Sequence, residues 1–130
     1  MIVDTSAVIA ILKNEPEAEA FSEALEAAKT VRISAASYLE SNIVVGRCNN
    51  PTLTARLEEI LENPAMHVEP VTLAQAKIAW EAYRNYGKGS GHPANLNFGD
   101  CFSYALAREK REPMLWKGDD FGFTDIRPAV

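Results

Sequence analysis

The first six residues, Met1-Ile2-Val3-Asp4-Thr5-Ser6, constrain the fold more than any other stretch. An apolar strand runs straight into an acid, and a Thr-Ser pair able to start a helix follows at once. An acid at the carboxyl end of a buried strand lies where α/β folds place their ligands. The same order returns at Met114-Leu115-Trp116, followed by Asp119. Two further acids, Glu40 and Asp100, sit inside otherwise apolar helical stretches.

Apolar periodicity supplies the rest of the plan. A helix is predicted over Ser6 to Leu12, capped by Thr5 or Ser6. A second opens at Glu15-Pro16-Glu17 and runs to Lys29, since Pro and Glu favour a first helical turn. Val31 to Ser34 form a short β-branched strand, and Ala36 to Val45 a helix. Thr52 to Leu61 make an amphipathic helix, with Leu53, Leu57, Ile60 and Leu61 on one side. Met66 to Val71 give a third strand, and Thr72 to Tyr86 a helix. Gly87 to Asn95 is a loop. Asn97 caps a helix to Arg111, Met114 to Trp116 are a fourth strand, and Asp125 to Arg127 are a candidate fifth. Strands alternating with helices imply a parallel sheet covered on both faces. No repeat or linker divides residues 1–130, so one domain is expected.

Composition narrows the setting. The chain is 47% hydrophobic with a net charge of -5, which argues against a protein that coats nucleic acid through a general basic surface. It does not exclude an enzyme acting on nucleic acid, because several negative charges can gather in one site and be offset there by metal. No apolar run reaches membrane-spanning length, and no basic region precedes the first apolar residues, so a cytoplasmic protein is expected. Cys48 and Cys101 have neither metal-ligand nor disulfide spacing and are expected to be buried thiols.

Strands of one parallel sheet share a carboxyl edge, so Asp4 and Asp119 can meet there. Glu40 and Asp100, near the starts of their helices, can lean toward the same edge. Four carboxylates gathered without a cation would repel one another and resist desolvation. Mg²⁺, or Mn²⁺ in its place, removes that conflict through oxygen ligands. His67 and His92 lie away from the acids, which disfavours zinc. One such ion can lower the pKa of an attacking water, and a second can neutralise a leaving oxygen. One or two ions both fit the sequence.

With these stretches in view, the chain resembles the PIN-domain ribonucleases, and among them the VapC-type toxins of bacterial toxin–antitoxin pairs. The matching pieces are Met1-Ile2-Val3-Asp4-Thr5-Ser6, Ser37-Tyr38-Leu39-Glu40, Leu96-Asn97-Phe98-Gly99-Asp100-Cys101 and Lys117-Gly118-Asp119-Asp120-Phe121, with the Gly87-Lys88-Gly89 to His92-Pro93-Ala94 loop before the third. The resemblance spans essentially the whole chain. It implies a three-layer α/β/α fold with a central, mostly parallel sheet of four to five strands. It implies Mg²⁺-dependent endoribonuclease activity, with Asp4, Glu40, Asp100 and Asp119 as metal-binding acids. Asp120 competes with Asp119 for the fourth place. Thr5 or Ser6 would orient the Asp4 carboxylate. Lys117 stands where relatives often carry Ser or Thr, which removes a hydroxyl and offers a cation near a phosphate. The family also implies a homodimer, with the helices before Val31 and between Thr52 and Leu61 as candidate surfaces. It implies silencing by a VapB-type antitoxin whose basic segment enters the active site.

Arg84 and Lys88 are candidate RNA contacts beside an ordinary surface-loop reading. Trp80 and Trp116 are expected in the core or an interface, and His92 in a structural role. Folded tRNA, ribosomal RNA and messenger RNA are all open as substrates, with exposed single-stranded loops preferred. Two other classes compete. An aspartate-based phosphatase would need a second acid near Asp4, where Ser6 stands instead. A non-catalytic binding module of the same fold would use the acids only to hold a basic partner.

Overall fold

The computed structural model describes residues 1–130. Strand β1 (Ile2–Val3) leads into α1 (Thr5–Leu12) and α2 (Ala18–Ala27). Strand β2 (Val31–Ser34) is followed by α3 (Ala35–Gly46) and α4 (Pro51–Leu61). Then come β3 (Met66–Glu69), α5 (Leu73–Tyr86), α6 (Phe98–Lys110), β4 (Met114–Leu115) and a 3₁₀ turn over Asp120–Phe123. The four strands form one sheet in the order β3-β2-β1-β4, and every pairing is parallel. Ile2 stands opposite Arg32 on one side and Met114 on the other.

Alternation along the strands sorts side chains onto two faces. Val3, Val31, Ile33 and Leu115 join α1, α2 and α4 in one core. Ile2 and Met114 point the other way, against Leu96, Leu106 and Ala107 from the α6 side. The result is the expected three-layer α/β/α arrangement. Helices α1 and α3 follow their strands directly and so start at the sheet's carboxyl edge, and α6, which leads into the amino end of β4, brings its own amino end to the same edge. Their partial positive charge favours carboxylates there.

Several boundaries depart from expectation, each for a local reason. The cap of α1 is Asp4 itself, whose carboxylate accepts from Ser6 N–H, and not Thr5 or Ser6. Helix α2 begins at Ala18, not Glu15; Glu15 instead starts a turn, its carbonyl accepting from Ala18 N–H at 2.9 Å. Strand β3 ends at Glu69, before Pro70, which has no N–H to offer a ladder. No fifth strand forms at Asp125–Arg127. The segment makes only an isolated bridge between Met114 and Pro128. Cys101 is buried as expected, but Cys48 is exposed at the end of α3. Trp80 is exposed and therefore not a core residue, while Trp116 packs beside the second core.

Candidate active site

Asp4 is almost fully buried at the end of β1. Three donors hold its carboxylate. Ser6 gives Oδ2 both its backbone N–H, at 2.9 Å, and its hydroxyl, at 2.6 Å. Ser103 on α6 donates its hydroxyl to Oδ1 at 2.6 Å. Thr5 takes no part in this; its hydroxyl donates to the Ser37 carbonyl at 3.4 Å. Of the two hydroxyls considered for orienting Asp4, Ser6 is therefore the one in contact. It does so both as hydroxyl and through the helix start.

Asp100 belongs to a reciprocal cap. Its backbone N–H donates to Asn97 Oδ1 at 2.9 Å, and its own Oδ2 accepts from Asn97 N–H at 2.9 Å. This is the capping box, here with Asp in the third position. Burial pushes the Asp100 carboxyl up to about 6, helped by the charges of Asp4, Asp120 and Glu40 and opposed by the hydrogen bond from Asn97. These four acids therefore share one electrostatic neighbourhood.

Glu40 sits in the second turn of α3, half-buried, and reaches across to the start of α6. A Cβ built on Gly99 would collide with Glu40 Oε2. Glycine at that position leaves the room in which the Glu40 carboxylate lies.

The fourth sequence acid is less tightly placed. Asp119 and Asp120 are both exposed, on the loop after β4. Asp120 acts on Asp100, and Asp119 is not among the charges that do. The loop is fixed by Lys117 N–H donating to Ser6 Oγ at 3.0 Å and by Trp116 Nε1–H donating to Gly118 O at 3.0 Å. Trp116 also meets Phe121 edge-on at 5.7 Å.

No Lys or Arg pairs with these acids. Every ion pair of the chain uses other carboxylates: Glu15, Glu17, Glu69, Glu112 and Asp125. Nor do any three Asp, Glu, His or Cys side chains converge into a ready-made metal cage. The oxygen-only donor set fits Mg²⁺ or Mn²⁺, and Mg²⁺ commonly binds through one or two carboxylates while keeping waters and substrate oxygens. A dedicated cage is not required.

The basic candidates divide. The Lys117 ammonium bridges Glu15 and Glu17 and is thereby engaged. Arg84 lies 5.9 Å over the Trp80 ring, and Lys88 is exposed. Lys88 N–H donates to Leu96 O at 2.7 Å, which fixes it at the same end of α6 as Asp100. His92 is structural: Nδ1 accepts from Ala94 N–H at 3.1 Å, and the ring packs on Tyr86.

Sequence reasoning missed Ser103, Ser37 and Gly99. One signal was available. Ser37 precedes Glu40 by three residues and Ser103 follows Asp100 by three. Each of two facing helices thus carries an acid and a hydroxyl on one face. A groove of about 430 Å³ runs beside them, lined by Leu39, Ile43, Phe98 and Phe102 and reaching Glu40 and Gly99. A separate groove of about 210 Å³, lined by Val31 and Met66, opens at the amino edge of the sheet, away from the acids.

Comparison with known proteins places these features in a family. The PIN domain model matches residues 1–126. Ribonuclease VapC28 of Mycobacterium tuberculosis is 55% identical over 130 residues, covering 100% of this chain and 98% of that protein. The crystal structure of Mycobacterium tuberculosis VapC20, described as a sarcin-ricin loop cleaving toxin, superimposes with a TM-score of 0.71. It is 22% identical and covers 98% of both chains. A toxin–antitoxin complex from Klebsiella pneumoniae gives a TM-score of 0.69 at 17% identity, covering 99% of this chain and 97% of that one.

Proposed function

The chain belongs to the PIN-domain family and to its VapC ribonucleases, and from that premise we propose that it is a divalent-cation-dependent endoribonuclease, the toxin of a toxin–antitoxin pair. The observation that carries the metal-dependent reading is the state of Asp100. Its carboxyl is pushed up to about 6 by burial and by three neighbouring acids, and no side-chain cation answers that charge. A cation from solution is the chemical complement of such a cluster.

Asp4, Glu40 and Asp100 would hold the ion, with Asp120 or Asp119 as the outer acid. When bound, Mg²⁺ or Mn²⁺ supplies a more acidic water and neutralises charge on a phosphodiester oxygen. The protein's own part is positional. Ser6 and Ser103 fix the Asp4 carboxylate, the capping box aims Asp100, and Gly99 admits Glu40. Exposed Lys88 and Arg84 lie toward the end of the domain where the backbone of an RNA would pass.

The antitoxin reading draws support from the apolar groove. It offers Leu39, Ile43, Phe98 and Phe102 to apolar side chains, with Glu40 and Arg47 also in its lining. A partner segment with apolar residues followed by a basic one would fill it and oppose the uncompensated acids. We place the toxin in the cytoplasm, where RNA and antitoxin are met; no helix is long and apolar enough to cross a membrane. A homodimer is the expected assembly. The large exposed apolar side chains lie on α3 and α5 and at Val68, Val71, Phe98, Phe123 and Val130, and none lies on α2 or α4.

The test is cleavage of a hairpin-rich RNA with Mg²⁺, with Mn²⁺ and with chelator, for the wild type and Asp4→Asn. Cleavage only with metal, and none by Asp4→Asn, supports the reading. Equal cleavage by Asp4→Asn overturns it and leaves a binding role for the acids.

A further inference from the structure

Ser103 and Ser41 have no exposure at all, and Ser37 has almost none. Buried hydroxyls need partners, and these partners are informative. Ser103 Oγ lies 2.6 Å from Asp4 Oδ1 and 3.1 Å from Ser37 Oγ. An ionised carboxylate only accepts. The single Ser103 proton is therefore committed to Asp4, and Ser37 must donate to Ser103. The order is Ser37 to Ser103 to Asp4, with each hydroxyl polarising the next. Ser37 is itself anchored, because its carbonyl accepts from Ser41 Oγ at 2.8 Å and from Thr5 Oγ1 at 3.4 Å.

The count of lone pairs on Asp4 then has a consequence. Oδ2 accepts twice from Ser6, which uses both of its lone pairs. Oδ1 accepts once from Ser103. One lone pair on Oδ1 is left. We infer that Ser103, backed by Ser37, is a positioning residue. It fixes the rotation of the Asp4 carboxylate and directs that remaining lone pair toward Glu40 and Asp100. Without Ser103, Oδ1 has no protein donor and only the Ser6 bonds to Oδ2 hold the rotation of the carboxylate.

This inference rests on the metal-dependent reading above, and its test separates the two. Mn²⁺ binding is measured by calorimetry on the full chain for the wild type, Asp4→Asn, Ser103→Ala, Ser103→Thr and Ser37→Ala, beside thermal melts in chelator. Partners of metal ligands typically change affinity about 10–100-fold. Ser103→Ala is expected to weaken Mn²⁺ binding about 10-fold and to lower the metal-free melting point, because buried Asp4 Oδ1 and Ser37 Oγ each lose a partner. Ser37→Ala should weaken it about threefold. Ser103→Thr, which keeps the donor, should recover most of the loss. Cleavage by Ser103→Ala should return at saturating Mn²⁺. Wild-type binding with Ser103→Ala within twofold of it overturns the positioning role alone. Absence of Mn²⁺ binding by the wild type overturns both readings. If Ser103→Ala does not fold, Ser37→Ala decides, and unchanged affinity there overturns the role.

Discussion

Replacing Asp100 by Asn should make the metal-free protein more stable while destroying its activity. The Asp100 carboxyl rises from 3.8 to about 6 in the folded state. At about 1.36 kcal/mol per pKa unit, that difference amounts to about 3 kcal/mol of destabilisation when the group is charged. Solvent screening of a partly buried site reduces this to about 1–2 kcal/mol. Asn removes the charge and keeps the cap, since its carbonyl oxygen can still accept from Asn97 N–H. With about 2.1 cal/mol/K of unfolding entropy per residue and 130 residues, the melting point should rise by about 4–7 °C at pH 7.5 in chelator. The folded protein holds the Asp100 proton more tightly than the unfolded chain does. The destabilisation is therefore complete above pH 6 and is relieved as pH falls from about 6 toward 3.8. The gap between variant and wild type should shrink over that window. Adding Mn²⁺ at pH 7.5 should reverse the order, because only the wild type gains a ligand. Calorimetric melts at pH 7.5 and pH 4.5 provide the measurement. An Asn variant no more stable than wild type at pH 7.5, or a gap that does not depend on pH, refutes the electrostatic account.

Gly99→Ala should leave the melting point level or slightly higher, as Ala favours helix, yet cut Mn²⁺ affinity at least tenfold by displacing Glu40; unchanged affinity would mean that Glu40 is not needed where it lies. Asn97→Ala should cost about 0.5–2 kcal/mol through loss of the α6 cap, read from urea unfolding. Leu106→Ala removes a fully buried side chain from the core under α6 and should cost about 2–5 kcal/mol, with the slope of the urea transition unchanged. The double variant Arg84→Ala, Lys88→Ala should weaken RNA binding most at low salt and flatten its salt dependence by about 0.7 for each phosphate no longer neutralised; an unaltered slope removes both residues from the interface.

The sequence was most informative where structure is local. Strand β2 has the bounds that its β-branched run predicts, Asn97 caps α6, Asp4 directly follows β1, and Met114-Leu115 form β4. It was least informative where partners are remote. Ser103 reaches Asp4 across 99 residues of chain, and Lys117 reaches Glu15 across 102. Neither pairing leaves a periodic trace. That distant ion pair accompanies the delayed start of α2, because Glu15 and Glu17 serve Lys117 and not a first helical turn. The Lys117 ammonium, which the sequence alone offers to a phosphate, is paired here with those two carboxylates. The fifth strand failed because Asp125 has other work. Its carboxylate accepts from Tyr104 Oη at 2.7 Å and pairs with Arg108 at 2.9 Å. The acids after β4 could not be ranked from sequence, since adjacent residues on a tight turn differ only in the direction of their side chains.

Asp4 caps α1 and Asp100 completes the capping box of α6, and this bears on how the gene can change. Asn caps a helix about as well as Asp, and the two codons differ by one nucleotide. A single transition at either position would yield a protein that still folds but whose charge cluster is broken. Such a chain would keep its surface and go on occupying any partner that recognises it. Under the proposed activity, one single-step escape from a harmful enzyme would thus be a folded decoy, which titrates the inhibitor away from active copies.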